Sequence, residues 1–111
     1  MTDQNQQLAA QAQRLSQQLQ AVMLQKEALN LQSLEMERAL KEMENSKEEH
    51  VYKISGPILI KADKTAVTEE LKEKKAFIDL KLKTLEKNEL TVKEKIDELR
   101  TRLTGKEKTD N

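Results

Sequence analysis

Apolar residues recur through the first half of the chain in alternating steps of four and three: Leu8, Ala12, Leu15, Leu19, Val22, then Leu29, Met36, Leu40 and Met43. This spacing keeps one side of an α-helix apolar and is the heptad pattern of a coiled coil. Lys26 and Ser33 interrupt the series, and no proline or glycine occurs before Gly56. The pattern predicts one helix from about residue 5 to about 47, roughly 60 Å long at the helical rise per residue. Met36 and Met43 fall on the seam and are expected to pack there.

A second seam starts at Leu71 and passes through Lys75, Ile78, Leu82, Leu85, Glu89, Val92, Ile96, Leu99 and Leu103. It predicts a helix over about 64–104. Asp63 or Thr65 can cap its start by accepting bonds from orphan first-turn amides, and Gly105 supplies a stop. The polar tail 105–111 is expected to fray. Glu70 with Lys74, Asp79 with Lys83, Glu89 with Lys93, and Glu98 with Arg102 place an acid four residues ahead of a base. Such pairs contribute a few tenths of a kcal/mol each and support helicity without implying a ligand.

Between the helices, HVYKISGPILIKAD loses the helical period and gathers β-branched and aromatic residues around Gly56 and Pro57. A β-hairpin over about 51–62 is predicted, with strands near Val51–Ile54 and Ile58–Lys61. Gly56 is expected to allow a positive φ at the turn, and Pro57 removes an amide where a strand begins. An isolated two-stranded hairpin is marginal in water, so its edges need partners. Candidate assembly residues are Val51, Tyr52, Ile54, Gly56, Pro57, Ile58, Leu59 and Ile60. A purely local role in folding the hairpin is the plainer alternative for each.

Two helices of equal length around a short connection fold back on each other, so that each seam covers the other. If facing residues have numbers adding to about 115, Lys26 meets Glu89, and these two charged intruders set the register. Independent snorkelling of both side chains is the alternative.

Composition fits this picture. Charged residues are 36% and aromatic residues 2% of the 111 positions, so Tyr52 and Phe77 are the only large rings and burial must come from aliphatic stripes. The regular apolar spacing argues against disorder. Twenty basic residues balance twenty acidic ones, which leaves no field to attract nucleic acid or an anionic membrane. MTDQNQQ does not read as a signal peptide, and the longest apolar run, Ala21–Leu24, cannot span a bilayer. The absence of cysteine fits a reducing compartment, and the expected location is the cytoplasm.

Catalysis needs converging polar groups, and one histidine, no cysteine and no glycine-rich phosphate loop supply none. His50 sits at the end of the first helix, where a cation suits the helix dipole, and alone it makes no metal site. No catalytic residue, metal ligand or cofactor is expected.

The segment VYKISGPILIKADKTAVTEELKEKKAFIDLKLKTLEK, set between two heptad helices, closely resembles the β-type subunits of the prefoldin family. The shared features are Tyr52 and Lys53, Gly56, the aliphatic strand Ile58–Ile60 and Lys61, followed directly by the second helix. They cover the hairpin and the start of that helix, while the remainder agrees in heptad pattern. Room for a single hairpin matches the β type, since α-type subunits carry two.

The resemblance implies a mainly α fold: one domain over 1–111, a long antiparallel two-helix coiled coil whose central β-hairpin joins an oligomeric β-barrel. It implies a hexamer of two α-type and four β-type chains that holds unfolded proteins without ATP, prevents their aggregation and passes them to a group II chaperonin. No nucleic acid and no membrane is expected as a partner. Client binding would lie where the helix ends meet, at Leu8, Leu15, Leu19, Val22, Met23, Leu90, Val92, Ile96, Leu99 and Leu103, with Leu24 adding contact. Read from the pattern alone, these are paired seam residues.

Ten of the first 32 residues are glutamine. Their uncharged amides would keep that helix surface tolerant of acidic and basic clients, although glutamine is also an ordinary helix former on a solvated face. The other class to weigh is a structural coiled-coil adaptor that binds no clients. A spacer should pair its seams up to both termini, whereas a client binder should leave them partly open.

Overall fold

The computed structural model describes residues 2–105, in the order α1 (Thr2–Asn45), β1 (His50–Ser55), β2 (Ile58–Asp63) and α2 (Lys64–Thr104). Helix α1 runs 44 residues without a breaker. Its last turn contains no basic side chain, and the cation there comes from elsewhere: Lys64 Nζ donates to the Ser46 carbonyl. That contact neutralises one of the orphan carbonyls at the negative end of the helix dipole. Helix α2 begins at the Asp63 cap, whose Oδ2 accepts from the Ala66 amide at 3.4 Å. It ends at Gly105, whose φ of 71° carries the chain into the left-handed region while its amide bonds the Thr101 carbonyl at 2.9 Å.

The hairpin pairs antiparallel from Ser55↔Ile58 to His50↔Asp63, and the Lys64 amide adds one more bond to the Glu49 carbonyl. Each strand has six residues, longer than the four expected. A two-residue loop with φ of 60° at Gly56 and proline's fixed negative φ next is the combination of a type II′ turn, which suits the twist of paired strands.

The chain forms two compact units. One comprises the described parts of Met1–Glu27 and Lys83–Asn111, and the other is Ala28–Leu82, which holds the hairpin. In the first, Val22, Val92, Ile96 and Leu99 are buried; in the second, Met43, Ile78 and Leu82 are. Every apolar residue of the two predicted seams is buried or half-buried, as are Lys26, Ser33, Lys75 and Glu89 that interrupt them. Among the described residues no large side chain is completely enclosed, as expected where two helices share one seam and nothing covers it from outside.

Facing residues of the hairpin-bearing unit do not add to 115. Thr68 Oγ1 lies 3.8 Å from Met43 Sδ, a pair adding to 111, and Ser33 donates to Asp79 at 2.8 Å, a pair adding to 112. Knobs on antiparallel helices pack into spaces between the partner's knobs, which shifts the level from direct seam-to-seam opposition.

Ile96 is 6% exposed and Leu24 68% exposed. Ile96→Ala is therefore expected to destabilise the protein by about 2–4 kcal/mol, while Leu24→Ala changes stability little. Equal midpoints for the two variants in urea unfolding would show that the seam is not the core.

Candidate functional site

Strand alternation sorts the hairpin's side chains into two faces. Val51, Lys53 and Ser55 share one face with Ala62, Ile60 and Ile58, while His50, Tyr52 and Ile54 share the other with Asp63, Lys61 and Leu59. The first face turns toward the helices at its base. Val51 and Ala62 are half-buried there, and Lys53 Nζ reaches both carboxylate oxygens of Glu70 on α2, at 3.0 and 2.9 Å. Lys74 adds a second contact to the same carboxylate at 3.2 Å. Bonds from Lys53 first, then Lys74, lower the Glu70 pKa below its ordinary range.

Among the described residues nothing covers the second face: Tyr52 is 68%, Ile54 76% and Leu59 66% exposed. Ile58 and Ile60 on the first face are exposed as well, and Gly56 and Pro57 form the open turn. Among the described residues the sheet has two strands, so the outward-facing backbone groups of both have no strand beside them there. All eight assembly candidates thus lie on one small element, with Val51 alone partly covered. Sequence reasoning missed the Lys53–Glu70 tie, because it joins residues 17 apart across a change of secondary structure.

The candidates for client contact fall into two groups. Val22, Val92, Ile96 and Leu99 are buried, and Leu8, Leu15, Leu19 and Leu103 are half-buried, because the two seams fill each other in this region rather than standing open. Met23, Leu24 and Leu90, which lie off the seam, are exposed. Leu31, Leu34, Phe77 and Leu80 are exposed too and were not singled out. Their heptad positions away from the seam were the signal that could have found them.

Lys26 and Glu89 meet at 2.9 Å, with side-chain exposures of 30% and 13%. Lys93 lies 3.4 Å from the other Glu89 oxygen. The direct bond to Lys26 lowers the Glu89 pKa, and the same bond raises that of Lys26, in each case against a smaller opposing effect of burial. A second polar insert sits in the other unit, where Asp79 accepts from Ser33 and from Lys75 at 2.8 and 2.9 Å. The bond to Asp79 raises the Lys75 pKa. Among the described residues no group of acidic or histidine side chains is placed to hold a metal ion, and no helix is long and apolar enough to cross a membrane.

Two long helices with a single two-stranded antiparallel hairpin between them define a mainly helical, one-hairpin coiled-coil class. The family model for prefoldin subunits matches residues 6–109, and the chain belongs to that family. It is 34% identical over 53 residues to the prefoldin subunit beta of Saccharolobus islandicus, a match covering 48% of this chain and 42% of that protein. It is 41% identical over 49 residues to the prefoldin subunit beta of Thermococcus onnurineus, covering 44% and 42%. The chain thus matches about two-fifths of the length of these curated relatives. The crystal structure of the prefoldin beta subunit from Thermococcus strain KS-1 superposes with a TM-score of 0.85 at 34% identity, covering 92% of this chain and 90% of that one.

Lys26→Leu and Glu89→Leu are expected to couple in a double-mutant cycle of unfolding, and independent losses would show that the pair does not set the register. The pH dependence follows from the two directions. Glu89, depressed on folding, contributes stability at neutral pH that is lost as pH falls through its lowered folded value. Lys26, raised on folding, contributes stability that is lost as pH climbs through its raised folded value. Thermal melts of wild type and Lys26→Leu should therefore converge at both extremes, and a constant gap across the whole range would contradict the assignment.

Proposed function

We propose that this chain is a chaperone subunit that holds unfolded proteins without ATP and works inside a hetero-oligomer with α-type and further β-type subunits, two and four in number. The observation that carries the reading is the hairpin: an apolar face of Tyr52, Ile54 and Leu59 left uncovered, beside strand edges with no neighbour. In water such an element is marginal, and joining hairpins into a closed barrel covers the face and pairs the edges. The family and the solved prefoldin beta subunit support the same assembly.

Clients are proposed to bind the unit that holds both chain termini. Met23, Leu24 and Leu90 are available there as they stand. Leu8, Leu15, Leu19 and Leu103 present part of their surface, whereas Val22, Val92, Ile96 and Leu99 become available only when the helix ends part. Several weak apolar grips on one flexible chain hold it through effective concentration. The held chain is then passed to a group II chaperonin. The amides of Gln13, Gln17 and Gln20 on exposed α1 positions add surface that repels neither sign of charge. The 6–109 span of the family match supports treating the chain as one domain.

Burial of Val92, Ile96 and Leu99 also favours a second reading, a coiled-coil scaffold with paired seams and no client. The two readings separate in an aggregation assay. The full chain, assembled with an α-type partner and without nucleotide, is expected to suppress aggregation of an unfolded model protein, and a version cut to residues 26–88 to assemble without suppressing it. If both assemble and neither suppresses aggregation, the scaffold reading replaces the chaperone one. A Met23→Ser, Leu24→Ser, Leu90→Ser triple variant should lose several-fold in holding capacity with little change in melting temperature. Full capacity in that variant would place client contact elsewhere.

A further inference from the structure

Lys53 sits on the first face of the hairpin, and its amine reaches both carboxylate oxygens of Glu70 at 3.0 and 2.9 Å. It pairs with Ile60, three residues before Asp63, while Glu70 lies seven residues after Asp63 along α2. At the rise per residue of a strand and of a helix, each partner stands about 10 Å from the junction between the two elements. If the hairpin ran straight on from α2, Lys53 and Glu70 would be about 20 Å apart, beyond the combined reach of a lysine and a glutamate. Their contact therefore requires the hairpin to incline over the first two turns of α2.

The Lys64 amide bonds the Glu49 carbonyl, and Lys64 Nζ bonds the Ser46 carbonyl. Both act at the junction. Bonds at a pivot leave the direction of an arm free, whereas a bond placed partway out along the arm fixes it. Successive strand side chains alternate, so drawing the Lys53 face onto α2 turns the Tyr52–Ile54–Leu59 face directly away from it. The Lys53 side chain is 45% and that of Glu70 38% exposed, so the pair adds little to overall stability. Its effect is on direction.

We propose that Lys53 and Glu70 are positioning residues for assembly: by setting the inclination of the hairpin over α2, they hold the Tyr52–Ile54–Leu59 face at the angle in which it meets neighbouring subunits. The proposal rests on the reading of that face as the assembly surface. A hairpin already set at its angle gives up less orientational freedom on joining a barrel, whose closure demands a fixed strand tilt. Lys74 stands differently. It bonds the same carboxylate at 3.2 Å, but from one turn further along the same helix, so it has no hold on where the hairpin points.

The chain has no cysteine, so labels can be placed at chosen sites. Ser55 near the hairpin turn and Glu73 on α2 are both exposed. Full-length chain carrying Ser55→Cys and Glu73→Cys, spin-labelled and diluted into unlabelled chain, is expected to show one narrow label-to-label distance by double electron–electron resonance. Lys53→Met and Glu70→Gln should each broaden that distance and weaken assembly with an α-type partner several-fold, at an unchanged melting temperature. Lys53→Arg should preserve both properties. Lys74→Met, which removes an equal charge from the same cluster, should leave both as they are. A narrow distance that survives Lys53→Met, a broadened one with unaltered assembly, or an equal loss in Lys74→Met would each overturn the proposal. An Ile54→Asp, Leu59→Asp variant separates it from the hairpin reading. If that variant fails to assemble while Lys53→Met assembles normally, the positioning role alone falls; if that variant itself assembles normally, the hairpin reading falls and the positioning role with it.

Discussion

Burial of one seam by the other is the constraint on which the rest depends. Each helix carries a single apolar stripe on a heavily charged cylinder, and with two rings in the whole chain no aromatic cluster can hold an alternative core. A stripe of this kind has no use for a third layer, so the unpaired sides of both helices face water. That is why no large side chain among the described residues is completely enclosed, and why any apolar residue displaced from the seam is left on the surface. The exposure of the off-seam residues Met23, Leu24, Leu31, Leu34, Phe77, Leu80 and Leu90 is a consequence of the same geometry.

Polar inserts give the seam its specificity. An uninterrupted leucine seam slides by a heptad at little cost, whereas Lys26 with Glu89 and Ser33 with Asp79 lose their partners when it slides. Each of the two compact units contains one such insert. The hairpin adds a different demand: its strands satisfy each other, but their outer edges and the Tyr52–Ile54–Leu59 face remain unmet among the described residues. The Lys53–Glu70 contact and the Lys64 bond to the Ser46 carbonyl fix the hairpin's root to the helices, so the uncovered face is held out on a braced element.

Much of this was legible in the residues. The steps of four and three named the seam positions that the structure covers, Gly56 marked a left-handed point of the backbone, Gly105 marked the end of α2, and Asp63 was one of two candidates, with Thr65, for its cap. The meeting of Lys26 and Glu89 could be anticipated because a long charged side chain in an apolar row needs an opposite one within reach. The general register of 115 does not hold in the hairpin-bearing unit, where Ser33 with Asp79 and Met43 with Thr68 add to 112 and 111. Lysine and glutamate together reach across roughly a full turn, about 5.4 Å, so they can bond without standing level. Short side chains such as Ser33 and Thr68 report the level more closely.

By itself, then, the sequence determined what periodicity and backbone sterics determine: two helices, one hairpin, a turn at Gly56, and which residues of each helix turn inward. Those follow from spacing along a single element and need no knowledge of its neighbour. The tertiary structure decided what depends on two elements at once. It set the level at which Ser33 meets Asp79, closed Val92, Ile96 and Leu99 within the seam, and turned the Tyr52 face outward and the Lys53 face onto Glu70. A heptad pattern is unchanged by sliding one helix past another, so only the packed pair fixes which residues are neighbours.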